Sequence, residues 1–111
     1  MRQGEIWWVK FLNSVGHEYQ KERPALIIAA DSQLRRSGLA TIMPFTSSTN
    51  NRIDEDILVS KDSQNKLYYD SILKVHHIQS FDRSRFIKLV GAVGEDIMRQ
   101  VKSYLKKHFD I

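Results

Sequence analysis

Arg23 is the side chain of this 111-residue chain best suited to binding a phosphate. A guanidinium stays charged at physiological pH, and its planar fork can hold two phosphate oxygens at once. Arg23 stands directly before Pro24, where a polar segment enters an apolar run over residues 25–30. Its alternative role is an ion pair with Glu22 or Glu5, which at a surface contributes about 1 kcal/mol or less. The residues alone favour the ion pair.

Thr46 and Ser47 offer hydroxyl groups at the end of a predicted strand over residues 39–45. The segment that follows, residues 46–54, is rich in Ser, Thr and Asn. Such small polar side chains can surround a phosphate with hydrogen-bond donors. The other interpretation of Thr46 is local, a hydrogen bond from its side chain to the backbone that stabilises a turn.

The histidines are the groups that can exchange protons near neutral pH. His17 lies in the polar segment 13–22, where it is either simply solvated or available for substrate contact or proton transfer. His76 and His77 are neighbours in a predicted strand over residues 69–77. Because neighbours on a strand face opposite sides, only one of them can reach a given site. That one could shuttle protons beside Lys74, and the other would serve packing or the surface.

Short predicted strands and a single long helix must position these side chains. The run over residues 24–30 is continuously apolar, so we expect that strand to be buried on both faces and central. Asp31 and Ser32 are expected to cap a short helical turn that reaches Arg36. The predicted strands cover residues 5–12, 24–30, 39–45, 56–60, 69–77 and 85–93, with a turn around residues 81–84.

A C-terminal helix is predicted from Gly94 onward. Acidic residues 95 and 96 suit its positive N-terminal end, basic residues near 106–108 suit its negative end, and the apolar residues between them have helical spacing. The fold class is therefore mainly β, with a curved antiparallel sheet or small SH3-like barrel against a C-terminal helix. Its length fits a single domain over residues 1–111.

The composition of the chain excludes some classes of function and favours others. A net charge of +4 and a pI near 9.5 favour phosphate backbones or acidic partners. With no cysteine, disulfides, thiolate metal sites and cysteine nucleophiles are excluded. The longest apolar run is far below the ~20 residues of a membrane span, and no secretory signal opens the chain. We expect a cytoplasmic protein that does not enter a membrane.

Metal chemistry fits the sequence poorly. Four histidines without cysteine lack a compact ligand set, and Asp54-Glu55-Asp56 is more simply explained as a solvated loop than as a magnesium clamp. The aromatic side chains have two possible roles, stacking on unpaired bases or packing in the core. These are Trp7, Trp8, Tyr68 and Tyr69.

Several segments in order resemble the MazF/PemK family of toxins over essentially the whole chain. The first three are Gly4-Glu5-Ile6-Trp7, then Gly16-His17-Glu18 leading to Arg23-Pro24-Ala25-Leu26-Ile27-Ile28, and then Pro44-Phe45-Thr46-Ser47. Asp70-Ser71-Ile72-Leu73, Ile78-Gln79-Ser80-Phe81-Asp82 and Ser84-Arg85-Phe86 resemble the family's later strand, turn and arginine. Each motif is common by itself, but their succession in one domain is specific.

The resemblance implies a curved sheet related to the CcdB toxin, a homodimer and neutralisation by an acidic antitoxin. It also implies a metal-independent, sequence-selective endoribonuclease without a cofactor. In such enzymes the ribose 2′-hydroxyl of single-stranded RNA attacks the adjacent phosphate, leaving a 2′,3′-cyclic phosphate and a 5′-hydroxyl.

The family's functional residues carry over onto matching positions. The resemblance makes Arg23 and Thr46 catalytic, with His17 in the matching Gly-His-Glu stretch. In the later strand this chain departs from the family, because His76-His77-Ile78-Gln79-Ser80 replaces an acidic residue, Gln and then Arg-Thr. We assign His76 to proton transfer in place of the missing acid. The expected substrate contacts are Ser47, Lys74, His77 and Gln79.

Two other functions remain open from the sequence. A CcdB-like toxin would bind a topoisomerase and cut nothing, and it would have no need of a phosphate-binding arginine. A degenerate family member would bind RNA or antitoxin without cleavage, as the departure at His76, His77 and Gln79 could indicate.

Overall fold

The computed structural model describes residues 1–11, 22–48 and 52–111. Seven strands form an antiparallel sheet in the order β4-β5-β3-β2-β1-β7, and β6 also pairs with β3. In the described part of the chain β4 and β7 do not pair, so the sheet is open and not a closed barrel. The strands are β1 Glu5–Lys10, β2 Glu22–Ile27, β3 Leu39–Thr46, β4 Ile57–Val59, β5 Ser71–Leu73, β6 Gln79–Asp82 and β7 Phe86–Ala92.

The described residues also form two helices and one 3-10 turn: α1 Asp31–Arg36, the 3-10 turn Arg83–Arg85, and α2 Glu95–Phe109. Gly94 is the N-cap of α2, with Glu95 and Asp96 in the first turn. Lys106, Lys107 and His108 occupy the last turn, so charge of each sign lies at the helix end that favours it. The curved antiparallel sheet with a C-terminal helix confirms the predicted fold class.

The sheet buries apolar side chains on both faces. One core lies between the sheet and α2, where Ile6, Leu26 and Phe45 pack with Val101 and Tyr104 of the helix. The second core lies on the opposite face and is covered by Leu34 of α1; its other members include Val9, Phe11, Ala25, Ile27, Ala40 and Ile42. We call these surfaces the helix face and the second face. Strand β2 contributes to both, which confirms its predicted central position.

Two local predictions were wrong. Asp31 does not cap α1: Ala30 is the N-cap, and the carboxylate of Asp31 instead accepts a hydrogen bond of 2.7 Å from the backbone N–H of Gln3. The predicted strand over residues 69–77 ends at Leu73. After it the backbone N–H of His77 donates to the carbonyl of Lys74 at 3.1 Å, which closes a turn.

The sequence does not predict strand β6. Its last two residues, Phe81 and Asp82, lie in the predicted turn, and Gln79 and Ser80 lie between that turn and the predicted strand before it. Its four residues alternate between partly buried and exposed side chains and pair with the first half of β3. A short edge segment with polar residues gives only a weak alternation signal, and the pairing partner is distant in the sequence.

Close packing between β7 and the segment before β5 leads to the first prediction. A Cβ atom at Gly91 would lie 2.4 Å from the carbonyl oxygen of Asn65 and 2.6 Å from that of Gln64. Since both obstacles are backbone atoms, Gly91→Ala should lower the free energy of unfolding by about 1–3 kcal/mol. The matched control is Gly38→Ala, where the added methyl meets nothing within 4 Å. Urea unfolding of both variants should separate them; equal stabilities would contradict the described packing.

Candidate active site

Arg23 and Thr46 lie at the same end of two neighbouring strands. The described β2–β3 ladder ends with the pair Ala25 and Pro44, and its register extended by two residues would put Arg23 opposite Thr46. A guanidinium nitrogen of Arg23, Nη1, donates to the carbonyl of Phe45 at 3.2 Å. Because side chains at matching positions of paired strands point to one face, the guanidinium and the hydroxyl belong to the same face of the sheet.

Both side chains belong to the second face, away from α2. Val9, the partner of Arg23 in β1, and Ala25, two residues along β2, are buried in the core of that face. Alternation along β2 therefore places Arg23 there as well. Among the described residues at this end of the sheet, Arg23 and Thr46 are half-buried and Ser47 is exposed.

Burial changes the electrostatics of Arg23. Desolvation lowers its pKa from the ordinary value, although a guanidinium remains protonated in proteins. A cation that has lost hydration is stabilised more strongly by an anion than one in bulk water, because the effective dielectric is lower. The two carboxylates considered as partners from the sequence receive other donors: Glu22 accepts from the indole of Trp8 at 2.8 Å, and Glu5 from that of Trp7 at 3.0 Å.

Thr46 shows the local contact considered from its sequence. Its Oγ1 accepts a hydrogen bond of 3.2 Å from the backbone N–H of Ser48, which shapes the turn after β3. A hydroxyl also has one hydrogen to donate. The structural role of Thr46 is therefore compatible with donation to a phosphate oxygen. Ser47, between the two, is exposed at the same end of the sheet.

Lys74 is held in a buried ion pair. Its Nζ lies 2.7 Å from Oδ2 of Asp56, with side-chain exposures of 12% and 0%. Asp56 also accepts from the backbone N–H groups of Val75 at 3.3 Å and Ile53 at 3.1 Å. This carboxylate joins the segment before β4 to the turn after β5. The predicted substrate contact of Lys74 stays a prediction, and its described partner is structural.

His76 lies against α2. Its Nε2 is 3.1 Å from Oε1 of Glu55, and its ring contacts Tyr104 and His108 with centroid distances of 5.6 and 5.7 Å. The hydroxyl of Tyr104 is 3.1 Å from Nδ1 of His108, and burial, followed by the charges of Glu55 and Asp56, raises the Tyr104 pKa. These contacts belong to the helix side, whereas Arg23 and Thr46 belong to the second face. The catalytic role of His76 stays a prediction that this placement does not favour.

Two of the remaining predicted site residues, Gln79 and His77, lie in different segments, Gln79 in β6 and His77 in the turn before it. Gln79 pairs with Ile42, so alternation along β3 puts it on the same face as Thr46, about 13 Å away along the strand. His77 is part-buried in the turn after Lys74. Because that segment is a turn, the expectation that His76 and His77 alternate as strand neighbours does not apply. His17 lies outside the described residues.

The four aromatic side chains separate into two pairs. Trp7 packs edge-on against Phe86, with ring centroids 6.4 Å apart, and both indoles are partly buried and hydrogen-bonded. Tyr68 and Tyr69 are 73% and 68% exposed. Core or surface packing therefore accounts for the tryptophans, and the tyrosines remain available for a ligand.

Sequence reasoning missed Asp56. The sequence pattern predicts that Asp56 lies in a solvated loop with its two acidic neighbours. In the structure Asp56 is buried, whereas Asp54 and Glu55 are exposed. Its position opposite Lys74 follows from the β4–β5 register, in which Ile57 pairs with Leu73. A partner 18 residues away could be recognised only after that register was known.

Within the described ranges, no group of three or more His, Asp or Glu side chains could hold a metal ion. The longest described helix, α2, has 15 residues, and none of the described helices is long and apolar enough to cross a membrane.

Comparison with known proteins supports one family. Residues 2–109 match the family model of the PemK-like, MazF-like toxin of type II toxin-antitoxin systems. The endoribonuclease MazF9 of Mycobacterium tuberculosis is 29% identical over all of this chain and 98% of its own length. The endoribonuclease PemK of Escherichia coli is 30% identical over 91% of this chain and 76% of its own length.

Solved structures share the fold. MazF from Deinococcus radiodurans superposes with a TM-score of 0.82 at 22% identity, covering 100% of this chain and 97% of that one. A mycobacterial endoribonuclease in complex with its cognate antitoxin superposes with a TM-score of 0.75 at 14% identity, covering 100% of this chain and 96% of that one.

The ion pair between Asp56 and Lys74 yields the second prediction. Asp56→Ala should lower the free energy of unfolding by about 3–5 kcal/mol, because it leaves a largely buried ammonium without its carboxylate. Glu55→Ala is the adjacent control; its pair with His76 is substantially exposed, so the loss should be about 1 kcal/mol or less.

Urea unfolding near neutral pH measures both losses. Replacing both partners, as Asp56→Leu with Lys74→Met, should recover much of the stability lost by Asp56→Ala. Equal losses for Asp56→Ala and Glu55→Ala would show that the buried pair does not hold these segments together.

Proposed function

Because this chain belongs to the PemK-like, MazF-like family of toxins of type II toxin-antitoxin systems, we propose that it is a metal-independent endoribonuclease that cleaves single-stranded RNA at selected sequences. The curated relatives named above are endoribonucleases. The observation that carries the proposal is that Arg23 and Thr46 lie on one face at the same end of the sheet, with exposed Ser47 next to Thr46.

The proposed reaction is an internal transesterification. The 2′ oxygen of a ribose forms a bond to the adjacent phosphorus as the bond from phosphorus to the 5′ oxygen breaks. The 2′-hydroxyl gives its proton to a base, and the departing 5′ oxygen takes one from an acid. The products are a 2′,3′-cyclic phosphate and a 5′-hydroxyl, and no oxidant or cofactor is consumed.

Arg23 has the properties that this transition state requires. Negative charge grows on the phosphorane oxygens, and fixed donors aimed at that charge lower the barrier. The guanidinium can hold two of these oxygens, and its hydrogen bond to the carbonyl of Phe45 orients it on β2. Thr46 would donate its hydroxyl hydrogen to the same phosphate. We assign proton transfer to His17 and keep His76 as the second candidate.

Ser47 and Gln79 would contact the RNA on the same face. Ser47 follows Thr46 at that end of the sheet, and Gln79 lies further along β3. Base selectivity would arise from such side chains, because unpaired bases are read by stacking and by contacts with their edges.

The proposal includes the partners that the family implies. These are a second copy of the chain in a homodimer and an acidic antitoxin, with action in the cytoplasm, where the proposed substrate lies. A complex with an antitoxin occurs among the structures that share this fold. The chain's positive net charge favours both RNA and an acidic partner. Exposed Ile87 and Leu89 on β7 offer apolar surface for association.

Cleavage of a long single-stranded RNA in excess chelator tests the proposal. The wild-type protein should leave 2′,3′-cyclic phosphate ends, and Arg23→Ala should reduce kcat about 10²- to 10³-fold because one charged donor to the transition state is lost. Arg23→Lys should recover only part of the rate, since an ammonium lacks the planar fork. The control is Arg99→Ala, an exposed arginine on α2, which should cleave at the wild-type rate.

A second RNA, with one 2′-deoxynucleotide at the mapped cut site, controls for the nucleophile. That bond should remain intact while other sites are cut. Full activity of Arg23→Ala, or loss of wild-type activity in chelator, would contradict the proposed mechanism. Intact RNA under every condition would favour a protein that binds RNA or antitoxin without cutting.

A further inference from the structure

Tyr68 and Tyr69 are adjacent aromatic side chains that remain mostly in water. A buried tyrosine contributes a large apolar area to folding, so two neighbours left exposed lose that stabilisation. Phe109, on the last turn of α2, is 56% exposed but contacts the ring of His108, with centroids 4.8 Å apart. The rings of Tyr68 and Tyr69 therefore contribute little buried area to the folded protein and remain exposed on its surface.

The two tyrosines lie at the end of the sheet that carries Arg23 and Thr46. Thr46 pairs with Ile72 of β5, and Tyr69 precedes Ile72 by three residues, at most about 10 Å along the chain. Ile72 pairs in turn with Leu58 of β4, which is exposed. Ile72 itself is buried, so the tyrosines are related to Arg23 and Thr46 by their common position at one end of neighbouring strands.

Hydrogen bonds hold the backbone on either side of the pair. The hydroxyl of Ser71 donates to the carbonyl of Tyr69 at 2.8 Å, and the backbone N–H of Lys61 donates to the carboxylate of Asp70 at 3.0 Å. Leu67 is buried directly before the tyrosines. Because both flanks are anchored, the rings are presented with little backbone entropy left to lose on binding.

We propose that Tyr68 and Tyr69 form a stacking platform for a base of the RNA strand whose phosphate lies at Arg23 and Thr46. The inference rests on the proposed function, and it adds a binding subsite to it. Stacking on an aromatic face tolerates any base, so the platform would supply affinity and direction more than selectivity. The neutral surroundings fit this role, since Lys61 and Lys66 alternate with Asp62 and Asp70.

Direction follows from the arrangement of strands. An RNA strand following this end of the sheet from Arg23 on β2 past Thr46 on β3 would next reach the beginning of β5, which Tyr69 precedes. The nucleotides on one side of the cleaved bond would therefore contact the tyrosines, and those on the other side would leave over β1. Because the platform would lie on one side of the cleaved bond, removing nucleotides from one end of a short substrate should weaken binding more than removing them from the other end.

The test uses a short RNA built around a cut site mapped with the wild-type protein. It carries a 2′-deoxynucleotide at that site, so it is not cleaved, and 2-aminopurine at successive positions to report stacking by fluorescence quenching. Tyr68→Ala with Tyr69→Ala should weaken binding roughly 5- to 100-fold, the range expected for lost base–aromatic stacking. It should also abolish quenching at the positions on one side of the cut site.

Matched variants separate ring loss from other effects. Tyr68→Phe with Tyr69→Phe keeps both rings and should bind within about twofold of wild type. Phe109→Ala removes an exposed ring of α2 and should leave binding unchanged. On cleavable RNA the double alanine variant should raise KM with little change in kcat, whereas Arg23→Ala lowers kcat.

Each failure has a distinct signature. Wild-type affinity and quenching in the double alanine variant would overturn the platform and leave the ribonuclease proposal intact. So would a double alanine variant that binds RNA normally but escapes inhibition by the antitoxin, since the tyrosines would then serve a protein partner. A loss as large with phenylalanine as with alanine would also overturn it. No cleavage by the wild type would overturn the ribonuclease proposal and, with it, the platform that rests on it.

Discussion

The antiparallel pairing of β2 with β3 is the constraint on which the candidate site depends. It brings Arg23, near the start of one strand, to the same end of the sheet as Thr46, the last residue of the other. A slip of one residue would turn one of these side chains to the other face of the sheet. The register is fixed by burial on both sides, since Leu26 and Met43 belong to the core under α2 and Ile27 and Ile42 to the second core. The geometry of the site is thus specified by apolar residues that take no part in chemistry.

The polar side chains on the two faces of the sheet have different roles: those on the helix side hold the fold together, and those on the second face are the ones proposed to act on RNA. On the helix side, buried Asp56 holds Lys74 and two backbone N–H groups, and His76 contacts Glu55 and the rings of α2. On the second face, Arg23 and Thr46 lie at one end of the sheet, with exposed Ser47 next to Thr46. His76, predicted to replace an acidic residue of the family, therefore lies on the helix side, away from the pair proposed to act on phosphate.

Much of the fold and part of the site could be predicted from the sequence. Strong apolar patterns predicted β1, β2, β3, β7 and α2. The continuous apolar run of β2 also predicted its central position in the sheet. The ends of β5, the presence of β6 and the burial of Asp56 depend on pairings between distant segments, which a local pattern does not contain. The same limit applies to His76, since its contacts with Tyr104 and His108 arise only after α2 packs on the sheet. His17 lies outside the described residues, so its assignment rests on the family pattern.

A double-mutant cycle on Arg23 and Thr46 tests most directly whether the two side chains act on one phosphate. Single-turnover cleavage in excess chelator would be measured for wild type, Arg23→Ala, Thr46→Ala and the double variant. Groups that stabilise the same transition state are strongly non-additive, so the double variant should be little slower than Arg23→Ala alone. Rate losses that multiply would show that the two residues act independently and would contradict the site described by the β2–β3 register.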